Sequence, residues 1–133
     1  MKLSTRTQYG LRALVYLAKK DKRICSLKEI SDKEGIPFDY LEKIISRLIK
    51  SGFVESKKGV SGGYLLKKRP RQIKIGDVIN ILEGNLSLVS CMRGRDKKIC
   101  PREKQCLTKS LWQKIQDAIT NTLKKITLAD LLK

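Results

Sequence analysis

The sequence predicts a mainly helical chain with one small β-hairpin and a long helix near its C-terminus. Three observations carry this expectation. Apolar residues recur at helical spacing through the N-terminal half; a glycine-rich basic hairpin follows; and Leu107, Leu111, Ile115, Ala118 or Ile119, and Leu123 recur every three or four residues near the end. With 133 residues, 41% of them apolar, the chain is one ordinary domain or a compact domain with an extra helix, and it has enough apolar mass for a core.

The first helix is expected from Thr5 to Lys20, with Ser4 as its N-cap and Leu11, Leu14, Val15 and Ala18 turned inward, widened by Tyr9, Tyr16 and Leu17. After a polar turn at Asp21 to Arg23, Ser26 with Glu29 reads as a capping box that opens a second helix, with Leu27 and Ile30 inside and Gly35 as its stop. Gly35-Ile36-Pro37 is a tight turn, and Pro37 suits the first position of a third helix, where no backbone donor is needed. That helix buries Leu41, Ile44, Ile45 and Leu48. Its other faces carry Asp39, Tyr40, Glu42, Lys43, Ser46, Arg47 and Lys50.

Gly52 ends the third helix, Phe53 to Ser56 and Tyr64 to Lys67 read as two strands, and Lys57 to Gly63 joins them with three glycines and two lysines. Two short helices, a tight turn, a polar-faced second helix and an adjoining basic hairpin compose a winged helix-turn-helix. A fourth helix from about Gly76 to Glu83, with Val78, Ile79, Ile81 and Leu82 and a stop at Gly84, closes it. The long helix is expected from about Glu103, packing on the first helix or on a second copy of the chain. Ile126 to Leu132 forms a short last helix capped by Thr127. The organisation is therefore a winged helix-turn-helix DNA-binding domain over 1–84, a cysteine-containing loop over 85–106, and a dimerisation helix with its short successor over 107–133.

Thirty Lys and Arg against 13 Asp and Glu give +17, a charge that favours a polyanion as partner, nucleic acid before a membrane surface. Lys57, Lys58, Lys67, Lys68, Arg69, Arg71 and Lys74 form an acid-free run. No apolar run reaches bilayer length and the opening residues lack a signal-peptide centre, so a cytoplasmic protein with no membrane partner is expected. Histidine is absent, which removes the commonest zinc ligand and any Ser-His or Cys-His pair, so no enzyme is expected.

Cys91, eight residues, Cys100, five residues, and Cys106 lie in a basic loop. Three thiolates at these spacings suit a soft metal or an iron-sulfur cluster with a fourth ligand from elsewhere, zinc, metal-free redox thiols, or packing. Arg93, Arg95, Lys97, Lys98 and Arg102 favour thiolate in all the reactive cases. Cys25 stands apart and reads as a small packed residue.

Met1 to Thr5 with Tyr9 to Leu14, Gly35-Ile36-Pro37 with Tyr40-Leu41-Glu42, Arg47-Leu48, Gly59 to Leu66, and Cys106-Leu107-Thr108 with Leu111-Trp112 together resemble the Rrf2 family of bacterial winged-helix transcription regulators, which includes iron-sulfur regulators and nitric-oxide sensors. The resemblance extends over essentially the full length. It implies a homodimer with crossing C-terminal helices on a palindromic double-stranded DNA operator. It also implies a 2Fe-2S or 4Fe-4S cluster held through iron by Cys91, Cys100 and Cys106 near the dimer interface. The first cysteine gap is longer than is usual among cluster-binding relatives. Lys109 stands where the iron-sulfur regulators carry a histidine, and Gln8 where the nitric-oxide sensors carry an Asp. The fourth ligand is thus open among Asp96, Glu103, a partner residue and an exogenous thiol.

By position in the family pattern, Pro37, Asp39, Tyr40 and Glu42 begin the recognition helix, and the Glu42 carboxylate can accept from cytosine N4. Lys43, Arg47, Lys58 and the backbone from Gly59 through Ser61 and Gly62 to Gly63 are expected on phosphates. Ser4 and Thr5 offer the start of the first helix to another. The expected function is that of a DNA-binding regulator, a repressor first of all, that senses cluster status, nitric oxide or redox state. A metal-free thiol-disulfide switch is the alternative. A small iron-sulfur electron carrier is the rival of another class, against which the wing and the charge argue.

Overall fold

The first helix runs through the middle of the protein because four of its positions at helical spacing are small or aliphatic. The computed structural model describes residues 2–59, 62–84 and 101–133, without the side chain of residue 103. Helix α1, Thr5–Lys19, is capped by the Ser4 hydroxyl, which accepts from the Thr7 amide at 3.3 Å. Its fully buried stripe is Gly10, Ala13, Leu14 and Leu17. Leu11, Val15 and Ala18, expected inside, are half-buried flanks of that stripe. The inward face is rotated toward Gly10 because a side chain there would not fit: a Cβ would stand 2.3 Å from Leu82 Cδ1 and 3.4 Å from Ile44 Cγ2.

Helix α2, Leu27–Glu34, begins at Ser26, whose hydroxyl accepts from the Glu29 amide at 3.0 Å, and ends at Gly35 in the left-handed conformation, φ 64° and ψ 38°. Only half of the expected capping box forms, since the Glu29 carboxylate turns away to Arg23 and Tyr16. Helix α3, Phe38–Lys50, follows the Ile36 plug, which is buried. Pro37 precedes the helix as its cap residue, with extended ψ of 131°, and its carbonyl accepts from the Leu41 amide at 2.9 Å. Leu41, Ile44, Ile45 and Leu48 are buried as the periodicity requires, and the polar positions of the other faces are exposed.

Strands β1, Val54–Lys57, and β2, Gly63–Leu66, pair antiparallel, with Val54 opposite Leu66 and Lys57 opposite Gly63. The outer side of β2 is also occupied. The Cys25 amide donates to the Tyr64 carbonyl at 2.9 Å and the Tyr64 amide to the Cys25 carbonyl at 2.8 Å, so the turn between α1 and α2 braces the hairpin. Cys25 is buried as expected. A 3-10 turn at Pro70–Gln72 leads to helix α4, Ile75–Glu83, whose Ile75, Val78, Ile79 and Leu82 are buried and whose Ile81 is half-buried.

Helix α5, Lys109–Lys124, starts later than the apolar periodicity suggests. Glu103–Gln105 is a 3-10 turn, Cys106 is extended, and Leu107 is 93% exposed, so burial offers no reward for continuing the helix upstream. The end of α5 packs on α4, where Leu123 Cβ lies 3.2 Å from the Cβ position of Gly76. Beyond it the chain pairs with the segment before α4: the Ile75 amide donates to Ile126 at 3.0 Å and the Leu128 amide to Ile73 at 2.8 Å. Leu128 is fully buried, and Leu128–Leu132 forms a 3-10 turn against α1 rather than an α-helix. Thr127 is the N-cap residue of that turn, as expected, and the Thr127 amide and hydroxyl donate to the Asp130 carboxylate at 2.9 and 3.3 Å. Among the described residues no helix is long and apolar enough to cross a membrane.

Candidate nucleic-acid interface and thiol site

Burial of the Leu41, Ile44, Ile45 and Leu48 stripe leaves one outcome for the rest of α3. Asp39, Tyr40, Glu42, Lys43, Arg47 and Lys50 all face solvent on a helix whose register the core holds. Pro37 is exposed at its head. Tyr40 is steadied from α1: its ring meets the Tyr9 ring edge-on at a centroid distance of 5.7 Å, and the Arg12 guanidinium lies 5.7 Å from the Tyr9 centroid. Arg12 in turn pairs with Glu34 at 3.6 Å and donates to its carbonyl, so α1 also fixes the end of α2.

Phe38, Tyr9 and Arg12 were missed as parts of this face or its support. Phe38 is 46% exposed at the head of α3. It stands three and seven residues before Leu41 and Ile45, so spacing alone files it with the core; its place in the first turn carries it past the edge of the packed surface.

The hairpin turn brings Lys58 and Gly59 out into solvent, Gly59 with φ 121°, and the Gly62 amide donates to the Gly59 carbonyl at 2.9 Å. Val60 and Ser61 lie outside the described residues. Gly63 has a different task from Gly59. The Lys67 amide bonds to Phe53 at 2.9 Å, so the alternation of an antiparallel ladder turns the Gly63 amide toward Lys57. A Cβ on Gly63 would lie 2.4 Å from the Cys25 carbonyl oxygen, so this glycine permits the close approach of Cys25.

At the start of α1, the Ser4 amide and hydroxyl donate to the Glu83 carboxylate at 3.0 and 2.9 Å, and the Thr7 hydroxyl donates to it as well. The Thr7 hydroxyl foremost, then the Ser4 donors, holds the Glu83 carboxyl below the usual carboxylate range. Thr5, next to Ser4, is exposed.

Of the three clustered cysteines, Cys91 and Cys100 lie outside the described residues, as does Asp96. Cys106 is half-exposed just ahead of α5, with its Sγ 3.2 Å from the Thr108 hydroxyl. That hydroxyl, with the Thr108 and Lys109 amides and the Lys109 charge, lowers the Cys106 thiol below its ordinary value. Accessible, and with its thiol lowered from the ordinary value, Cys106 has the chemistry of a soft-metal ligand or a reactive thiol. Cys25 is the opposite case, pushed up by burial and packed in the core.

Comparison with known proteins agrees with this architecture. A family model described as Rrf2, iron-dependent transcriptional regulator, matches residues 3–133. The chain is 38% identical to protein rrf2 of Nitratidesulfovibrio vulgaris, covering 100% of this chain and 88% of the relative. Among solved structures, CymR, the global cysteine regulator of B. subtilis, superposes with a TM-score of 0.83 at 36% identity, over 99% of this chain and 96% of that one. T. potens IscR gives a TM-score of 0.79 at 38% identity, over 99% of this chain and 86% of that one.

Proposed function

As the chain belongs to the Rrf2 family of transcriptional regulators, we propose that it represses transcription as a homodimer on a palindromic operator, under control of an iron-sulfur cluster on Cys91, Cys100 and Cys106. The observation that carries the DNA-binding part is the solvent-facing charged surface of α3, held in register by its buried stripe beside a basic, glycine-bearing hairpin turn. Residues 1–84 read DNA, 85–106 sense, and 107–133 dimerise. Exposed Leu111 and Ile115, 48% and 37% accessible on one side of α5, support a partner helix there.

In this reading Pro37, Asp39, Tyr40 and Glu42 meet the major groove, with Glu42 accepting from a cytosine N4 and Tyr40 held by Tyr9. Lys43, Arg47, Lys58 and Gly59 to Gly62 hold phosphates, while Gly63 serves the fold of the wing. With Ser4 engaged by Glu83, the phosphate contact at the start of α1 falls to Thr5.

The described cysteine suits the proposed group. Cys106 offers a half-exposed sulfur whose thiol is lowered by the Thr108 hydroxyl beside it. A 2Fe-2S or 4Fe-4S cluster bound there would supply oxidation, nitrosylation or loss as its chemistry. What this chain contributes is position, since Cys106 is joined through two residues to α5 and α5 through Ile126 and Leu128 to the reading head.

Iron, acid-labile sulfide and visible absorption of protein purified without oxygen test the cluster. Matched iron and sulfide in wild type, lost in a Cys91→Ala, Cys100→Ala, Cys106→Ala triple variant, is the expected result. A colourless, iron-free wild type after attempted reconstitution would overturn it. A metal-free thiol switch is the second reading, supported by the accessible Cys106 and its lowered thiol. It predicts operator binding that responds to diamide and dithiothreitol in iron-free protein.

A further inference from the structure

The acid-free cationic run of the sequence is divided by the hairpin. Lys57 and Lys58 stand at the turn, whereas Lys67, Lys68, Arg69 and Arg71 follow the far end of β2, whose four residues span about 13 Å. The second group lines a groove of about 640 Å³ together with Lys22. The buried or half-buried lining residues are apolar: Leu17 and Ala18 from α1, Leu66 and Pro70 from the hairpin side, and Ala129 and Leu132 from the C-terminal turn. The exposed lining residues are five cations with Gln72 and a single acid, Asp21. Among the described residues none of the five cations is paired with a carboxylate. Asp21 and Lys22 join the lining because the turn after α1 doubles back through positive φ of 43° and 65°, unusual for residues with side chains.

A concave apolar surface under an excess of positive charge asks two things of an occupant. It must bring an apolar body to cover the Leu, Pro and Ala surface, and an anion to meet the rim. A DNA backbone supplies the second and not the first, and a duplex is too wide to enter. We propose that this groove binds a small amphipathic anion, a carboxylate or phosphate monoester carrying an apolar chain or ring. Such a ligand touches α1, the base of the wing and the C-terminal turn together.

Full-length protein titrated with 8-anilinonaphthalene-1-sulfonate, an amphipathic anion with a fluorescence response, tests this. Saturable binding is expected, displaced by decanoate or decyl phosphate and hardly by decanol or inorganic phosphate; which of the two decyl anions displaces better names the head group. Neutralising the rim in Lys67→Gln, Arg69→Gln, Arg71→Gln should weaken dye binding about tenfold, as three exposed charge contacts would. Filling the groove with Ala129→Leu should weaken it similarly, with unchanged circular dichroism. If Ala129→Leu is misfolded, the charge variant decides, together with a decanoate-dependent rise in the melting temperature of wild type. Dye affinity unchanged in the folded variants, equal displacement by decanol, or equal displacement by inorganic phosphate would each overturn the proposal. So would a loss of DNA affinity in the charge variant without loss of dye binding.

Discussion

The amide and hydroxyl of Ser4 both donate to the carboxylate of Glu83, at 3.0 and 2.9 Å, across 79 residues of sequence. The last residue of α4 thereby closes the first turn of α1, next to the point where the chain enters the cysteine loop. Replacing Glu83 by Gln removes the charge and turns a donor-bearing amide toward three donors, the Ser4 amide and the Ser4 and Thr7 hydroxyls. The loss of charged hydrogen bonds should cost about 1–3 kcal/mol in urea denaturation. Because the folded Glu83 pKa is depressed, its contribution is complete above the unfolded value and disappears as pH falls through the folded one. Glu83→Gln should therefore flatten part of the acid limb of stability. An unchanged limb would show that the clasp contributes nothing.

A second carboxylate joins α1 to α2. Arg23, first, and Tyr16 draw the Glu29 carboxyl from 4.5 down to about 2, while the bond to Glu29, first, and burial push the Tyr16 hydroxyl from 10.0 up to about 12. The two signs are opposite. The Glu29 contribution is present above about 4.5 and is lost as pH falls toward about 2. The Tyr16 contribution is present below about 10 and is lost as pH rises toward about 12. Chemical denaturation across pH should show Tyr16→Phe removing the alkaline limb while leaving the part of the acid limb that Arg23 supplies, and Glu29→Gln flattening the acid side and, because it neutralises the partner of Tyr16, weakening the alkaline side as well.

Gly63→Ala should destabilise far more than Gly59→Ala. At Gly63 the new Cβ meets the Cys25 carbonyl oxygen at 2.4 Å, and the Cys25–Tyr64 bridge must open or shift. At Gly59 nothing lies within 4 Å and only the positive φ of 121° is strained. Overpacking against backbone predicts about 1–3 kcal/mol or more for Gly63→Ala, read as a fall in melting temperature, with proteolysis starting in the wing. A loss for Gly63→Ala well below about 1 kcal/mol would mean that the bridge contributes little.

Local signals made most of this architecture legible. Ser4, Ser26, Gly35 and the α3 stripe are written in spacings of three and four residues, and the physics that uses them acts over one helical turn. What was not legible depends on partners far along the chain. Glu29 is a sound capping-box residue by spacing, yet Arg23 and Tyr16 offer its carboxylate more than the Ser26 amide does. The cationic run reads as one stripe until the hairpin divides it into two groups. Glu83 carries no local mark at all, since its partners Ser4 and Thr7 lie more than seventy residues earlier in the chain. The apolar period sets the start of α5 too early because Leu107 keeps that period without being buried.

The proposed DNA-binding face, α3 with the hairpin turn, would combine two kinds of contact that salt dependence can tell apart. A lysine or arginine on a phosphate acts on every sequence alike, so Lys58→Ala or Arg47→Ala should weaken operator and random DNA together and reduce the salt slope by about 1. Glu42 is exposed among Lys43, Arg47 and Lys50 and, among the described residues, makes no ion pair. Facing phosphates a carboxylate can only repel, so in the proposed reading Glu42 meets a base-edge donor. Glu42→Ala should then weaken the operator by about 1–3 kcal/mol and relax preference at one base position, while random DNA is bound as well or better. Fluorescence anisotropy with an operator and a scrambled duplex at several salt concentrations measures both quantities. Equal losses on the two duplexes would remove Glu42 from base recognition and leave it a residue of the helix surface.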